Sequence, residues 1–198
     1  MLYKFAWWLG GVFLRVFYGL RITGREHIPQ GALIFFANHT KATDPVIIAC
    51  TIPKAMRLCI MGKAELFRFA PLAMLLRYCG AYPIERGAGD MGAIKKTLEM
   101  LKLGRKVIIF PDGHRSDEEN PDNAKNGMAL LAVKSGAPVL PIYLTPNRRF
   151  LRRNLRVIFG KPFNVVLPDG MPRSEAYRQV TQELVREMYA MGADADGR

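Results

Sequence analysis

The sequence predicts an α/β domain, a mixed, largely parallel sheet flanked by helices, on three observations. Short continuous apolar runs at 32–37 (ALIFFA), 106–110 (KVIIF) and 139–143 read as strands buried on both faces. Segments of helical pattern alternate with them. The chain has 198 residues, room for one domain whose folding buries roughly 70% of its unfolded surface.

The first segment, MLYKFAWWLGGVFLRVFYGL, is strongly apolar and carries only Arg15 as a charge between Phe5 and Leu20. It is shorter than the ~20 residues a spanning helix needs and lacks a small-residue cleavage site. Trp7, Trp8, Phe13, Phe17 and Tyr18 are boundary-seeking residues, and Lys4, Arg15, Arg21 and Arg25 are placed to meet lipid phosphates. This reads as an interfacial helix over 1–20, followed by the main domain at 21–198. The competing reading is a core helix packed on the domain. Residues 21–31 read as a linker.

After the strand at 32–37, Asp44-Pro45 opens a helix at 46–51, with Asp as N-cap and Pro at the first helical position. Residues 57–61 read as a strand, 64–78 as helical with a restart at Pro71, and 81–84 as a short strand. Asp90 caps a helix to about residue 103, with Met91, Ile94, Leu98 and Leu101 on one stripe. The strand at 106–110 is followed by a polar loop at 111–123 and a helix at 124–135 that Gly136 stops. Strands at 139–143 and 155–159 and a helix at 172–191 complete the chain, with the last residues fraying. Pro141 marks its strand as an edge or a bulge. The sequence shows no internal repeat.

Charge narrows the partners. Lys plus Arg number 29 against 17 acidic residues, a net charge of +12, which predicts an anionic partner. Arg148, Arg149, Arg152, Arg153, Arg156 and Lys161 form the densest basic stretch. It reads equally as a solvated basic face or as a surface that meets an anionic partner. Few aromatic residues interleave it, so a nucleic-acid partner is not expected. Cys50, Cys59 and Cys79 are odd in number and form no C-x-x-C, which argues against a disulfide framework or a zinc site. No ligand set argues for a metal.

Four constellations follow strands. In Asn38-His39-Thr40-Lys41-Ala42-Thr43-Asp44, the spacing lets Asp44 fold back onto the His39 imidazole and leave Nε2 free to take a proton. No Ser or Cys nucleophile accompanies them, which suits activation of a hydroxyl brought by the substrate. The alternative is that Asp44 only caps its helix. In FPDGHRS, Phe110 to Ser116, Gly113 exposes backbone N–H groups and Arg115 suits bidentate phosphate binding; an ordinary Pro-Asp-Gly turn is the alternative. Gly80 to Gly87 places Arg86 after a strand as a second phosphate candidate. Val139-Leu140-Pro141-Ile142 is the fourth.

Together and in this order these pieces resemble the glycerolipid acyltransferase family. Its first block, Asn-His-x4-Asp, is matched by Asn38, His39 and Asp44. A Gly-x-x-x-Ile-x-Arg-like segment is matched by Gly80, Ile84 and Arg86, Phe-Pro-Glu-Gly-Thr-Arg-Ser by FPDGHRS, and Val-x-Pro-Ile by residues 139–142. The lead-in Gly24-Arg25-Glu26-His27-Ile28-Pro29 and the segment Lys63-Ala64-Glu65-Leu66-Phe67 also match, so the likeness spans about residues 20–165. The sequence departs from the pattern at Asp112, for a glutamate, at His114, for a threonine, and at Lys41, where serine is common.

The resemblance implies acyl transfer from an acyl thioester, acyl-ACP or acyl-CoA, to the sn-2 hydroxyl of a 1-acylglycerol-3-phosphate, giving phosphatidic acid. It implies His39 as base and Asp44 as its partner. Arg86, Arg115 and Lys63 would hold the acceptor phosphate, and Asp112 and Gly113 would orient substrate or stabilise the oxyanion. His114 reads as a loop or substrate contact, with a second acid/base group as the alternative, and Asn38 is a candidate with no assigned role. No cofactor is expected beyond the thioester co-substrate, and no metal. The expected setting is monotopic attachment to an anionic membrane surface, on the cytoplasmic face of the inner or plasma membrane. A different lyso-lipid acceptor, such as a lyso-ornithine lipid, and a non-catalytic basic membrane-binding protein are the alternatives.

Overall fold

A computed structural model describes residues 2–53, 56, 58–78, 80–84, 91–111 and 120–196. Seven strands form one sheet in the order β1-β7-β6-β2-β5-β3-β4. They are β1 (Arg21–Thr23), β2 (Leu33–Ala37), β3 (Leu58–Lys63), β4 (Ala81–Ile84), β5 (Lys106–Ile109), β6 (Val139–Leu144) and β7 (Arg156–Phe159). The neighbours from β6 through β4 run parallel; β7 is antiparallel to β6, and β1 is parallel to β7. The sheet is therefore mixed and largely parallel.

Six helices cover it: α1 (Leu2–Tyr18), α2 (Asp44–Thr51), α3 (Ala70–Tyr78), α4 (Met91–Lys102), α5 (Gly127–Ser135) and α6 (Arg173–Asp196). Alternation along β2 divides the core. Leu33, Phe35 and Ala37 pack with Leu14 of α1 and with Ile47 and Ile48 of α2. Ile34 and Phe36 pack on the other face with Leu101, Met128, Leu131, Val185 and Met188 of α4, α5 and α6. All five residues of β2 are fully buried, as a central parallel strand with helices on both sides requires. On α6, Ala176, Val180, Leu184 and Met188 recur every fourth residue and face the core.

The connections fix where a site forms. The β2–α2–β3 crossover steps one way across the sheet with α2 on one face. The β5–α5–β6 crossover steps the other way with α5 on the opposite face. The two crossovers therefore share one hand, and the direction reverses between the C-terminal ends of β2 and β5, where a sheet of this kind forms its crevice.

The linker read at 21–31 contains β1, whose three residues pair with β7. Gly24 follows it at φ 72°, and a Cβ there would stand 1.9 Å from the Phe159 carbonyl oxygen, so only glycine lets this turn lie on the end of β7. Pro141 does not mark an edge: β6 lies between β7 and β2. Gly160 donates to the Pro141 carbonyl at 2.9 Å, but proline has no N–H to return to the Gly160 carbonyl. His27 Nδ1 lies 3.2 Å from that carbonyl and 3.2 Å from that of Phe159, so the imidazole supplies the missing donor. The final helix outlasts its expected end at residue 191, continuing to Asp196. Met91, expected on the buried stripe of α4, is 68% exposed, and Thr97 is buried there instead.

Candidate active site

The site is built where β2 ends. Ala37 closes the strand, Asn38 ties it to the neighbouring strand, and His39 is the first side chain to turn toward the crevice. Asn38 is buried; its Nδ2 donates to the Leu144 carbonyl at 2.8 Å, and the Leu144 N–H donates to its Oδ1 at 2.8 Å. Asn38 thus continues the β2–β6 ladder with its side chain and fixes where the next residue starts.

His39 Nδ1 lies 2.9 Å from Asp44 Oδ2, and its ring stacks on Phe110 at the end of β5, with centroids 4.2 Å apart. The hydrogen bond to the carboxylate places a proton on Nδ1, so the lone pair of the neutral ring lies on Nε2, directed away from Asp44. The imidazole is 16% exposed and Asp44 is fully buried. Asp44 does not cap α2 from outside, as Asp44-Pro45 suggested. It is the first residue of the helix, and Thr43 holds the N-cap position. Its carboxylate points back instead, where Oδ2 also accepts from the Thr40 N–H at 2.7 Å and the Lys41 N–H at 2.8 Å.

Sequence reasoning missed the fourth partner. Arg148 is the first of the basic stretch, yet it is 3% exposed, and its guanidinium Nη2 donates to Asp44 Oδ1. Nη1 donates to the Thr145 carbonyl at 2.9 Å, and Nη2 reaches Thr43 Oγ1 at 3.3 Å. Arg149, Arg152 and Arg153 of the same connection stay exposed. Lys41 is drawn in too, its Nζ donating to the Arg148 carbonyl at 2.9 Å.

Burial pushes the Asp44 carboxyl up, but the His39 hydrogen bond, the Lys41 N–H, the Arg148 charge and the Thr40 N–H outweigh it. The group is held below its ordinary value of 3.8. A carboxyl depressed on folding adds stability that is complete above its unfolded pKa and is lost as pH falls through the folded one. Thermal melting is therefore expected to be insensitive to this group above about pH 5 and to drop below about pH 4. An Asp44→Asn variant melted across the same range should lose part of that acid dependence; an unchanged acid limb would contradict it.

Beside the dyad lies a cavity of about 250 Å³ between α1 and α2. Gly10, Phe13, Leu14 and Tyr18 of α1 and Val46, Ile47 and Cys50 of α2 line it, with Lys41, Thr43 and Arg148. A larger hollow of about 570 Å³, lined by Ile94, Leu130 and Tyr177, belongs to the α4, α5 and α6 side of the sheet, away from the dyad.

Of the other expected residues, Lys63 is exposed at the C-terminal end of β3, on the same edge of the sheet as His39. Arg86, Asp112, Gly113, His114 and Arg115 lie outside the described residues. The strands preceding them, β4 and β5, end on that same edge. Gly80 has a backbone reason: at φ 85° its Cβ would stand 2.0 Å from the Leu58 carbonyl oxygen. Among the described residues no cluster of His, Cys, Asp or Glu is arranged to hold a metal.

With this geometry in hand, the comparisons with known proteins are specific. A family model described as Acyltransferase matches residues 19–145, more than half of the chain. The chain belongs to the acyltransferase family. Curated relatives of this acyltransferase include the 1-acyl-sn-glycerol-3-phosphate acyltransferase of Borreliella burgdorferi, 28% identical over 93% of this chain and 73% of that protein. They also include the lyso-ornithine lipid O-acyltransferase of Pseudomonas aeruginosa, 27% identical over 97% of this chain and 81% of that protein. The crystal structure of the 1-acyl-sn-glycerophosphate acyltransferase PlsC from Thermotoga maritima superposes with a TM-score of 0.68, covering 96% of this chain and 81% of that one at 23% identity, a likeness of fold.

Proposed function

We propose that this acyltransferase moves a fatty acyl group from acyl-ACP or acyl-CoA to the sn-2 hydroxyl of 1-acylglycerol-3-phosphate, forming phosphatidic acid for phospholipid synthesis. The observation that carries the reading is the His39–Asp44 pair at the sheet's crevice, with Nε2 directed away from the carboxylate. His39 Nε2 takes the hydroxyl proton as the oxygen attacks the thioester carbonyl. The C–S bond then breaks, and the thiolate leaves with the proton as a thiol. Asp44 stabilises the transient imidazolium. No acyl-enzyme intermediate is required.

Lys63, Arg86 and Arg115 would bind the acceptor phosphate, and Asp112 and Gly113 would orient the glycerol or the developing oxyanion. The apolar cavity between α1 and α2 offers a place for an alkyl chain. Residues 1–20 would seat the enzyme on the cytoplasmic leaflet of an anionic membrane, and 21–198 would carry the chemistry. No helix among the described residues is long and apolar enough to cross a membrane. One face of α1 packs on the domain through Leu14, while Trp8, Leu9, Phe13 and Val16 are about half exposed. Phe150 and Leu151 extend that exposed face, the Phe150 ring stacking on Phe17 at 5.3 Å. Arg149, Arg152 and Arg153 flank it, each worth about 1 kcal/mol against an anionic leaflet.

The likeness to the lyso-ornithine lipid enzyme over nearly the whole chain supports a second reading of the acceptor. Purified enzyme should be assayed with acyl-ACP and acyl-CoA against 1-acylglycerol-3-phosphate, lyso-ornithine lipid and lysophosphatidylcholine. Phosphatidic acid should form fastest. Faster acylation of lyso-ornithine lipid would replace the acceptor, and no transfer to any lipid would overturn the reading.

A further inference from the structure

We propose that Arg148 is a positioning residue for this acyl transfer: its buried guanidinium fixes the Asp44 carboxylate from behind and offsets its charge, so that Oδ2 alone faces the imidazole. The inference rests on the reading of His39 as the base.

The carboxylate divides its work. Oδ2 accepts from His39, Thr40 and Lys41, while Oδ1 is left to Arg148. Burying a guanidinium strips it of water, and its neighbours Arg149, Arg152 and Arg153 avoid that cost by staying exposed. Arg148 is spent inward on one acid, 104 residues away in sequence. The connection carrying it is also tied down by bonds that do not involve that side chain. Leu151 N–H donates to the Phe17 carbonyl at 2.8 Å, Leu155 N–H donates to the Tyr18 carbonyl at 3.1 Å, and Lys41 holds the Arg148 carbonyl.

The charge has a chemical consequence. A lone buried carboxylate beside an imidazole favours imidazolium, which is no base. Pairing the carboxylate with a guanidinium offsets that charge and leaves the acid to orient the ring through Oδ2. Among the described residues, the charged groups bonded into this cluster are Asp44 from α2, Arg148 from the β6–β7 connection and Lys41 from the β2–α2 loop. From β5 the ring meets only the Phe110 face, and Tyr18 and Cys50 line the adjoining cavity from α1 and α2.

The experiment measures kcat and KM separately for Arg148→Met, Arg148→Lys and His39→Ala, with phosphatidic acid formation as readout. Arg148→Met should lower kcat about 100-fold at neutral pH, the scale of a misaligned catalytic group, with KM values kept within about three-fold. Arg148→Lys should recover only part of kcat, since a lysine lacks the fork. In an Asp44→Asn background, adding Arg148→Met should change kcat less than about three-fold, because the arginine acts through the acid.

A native kcat in Arg148→Met, a raised KM with unchanged kcat, or full additivity with Asp44→Asn would overturn the proposal. Should Arg148→Met not fold, the Asp44→Asn/Arg148→Met double variant buries no unpaired carboxylate, and it carries the same comparison with Arg148→Lys. If His39→Ala keeps native activity, the reading of the base itself fails. If His39→Ala is inactive while Arg148→Met keeps the native kcat, only the role of Arg148 fails.

Discussion

Replacing His39 with alanine is expected to lower kcat by about 10²–10⁴-fold, the usual contribution of a positioned general base, while folding and lipid binding persist. The fold should tolerate the change because Asp44 keeps the Thr40 and Lys41 N–H groups and the Arg148 guanidinium. The buried acid is therefore not orphaned. What disappears is the only imidazole on this loop, together with its stacking on Phe110. Acyl-transfer rates, a thermal melt and co-sedimentation with phosphatidylglycerol vesicles separate the outcomes. A dead variant that melts and sediments like the native protein supports the base. An active variant would make this cluster a structural one and leave a membrane-binding role for the chain.

The sheet's centre was legible because β2, β5 and β6 are continuous apolar runs, and a strand buried on both faces has no other pattern available. The His–Asp pairing was legible because His39 and Asp44 flank one short loop, where spacing alone limits the geometry. Long-range compensation was not legible. Pro141 predicts an edge when read locally, yet His27, from the other end of the chain, supplies the donor that proline lacks. β1 has only three residues and a half-exposed pattern, and pairing with β7 is what makes it a strand.

Arg148 was hidden for a related reason. Charge density along a sequence says nothing about direction, and one arginine in a basic stretch turns inward only because a buried carboxylate from α2 meets it. The same blindness applied to Asp44, whose spacing suited both a cap and a dyad partner. The loop's backbone N–H groups, together with His39 and Arg148, give it the second role.

The largest expected loss of stability comes from Asn38→Ala. A planar side-chain amide carries a donor and an acceptor side by side, as a peptide group does, and Asn38 uses both on Leu144. Leu144 is 1% exposed, so alanine would leave its N–H and carbonyl buried and unpaired. At about 1–3 kcal/mol for each group, the loss is about 2–6 kcal/mol, a large fraction of a typical domain's 5–15 kcal/mol. Thermal melting should show a fall of roughly 4–24 °C for a chain of this size. Asn38→Asp decides whether hydrogen bonding or volume is at stake. It is nearly isosteric and keeps an acceptor for the Leu144 N–H, but it sets a buried carboxylate against the Leu144 carbonyl. It should melt at least as early as the alanine variant. If Asn38→Asp melts like the native protein, Asn38 merely fills space, and the β2–β6 bridge is not what places His39 at the crevice.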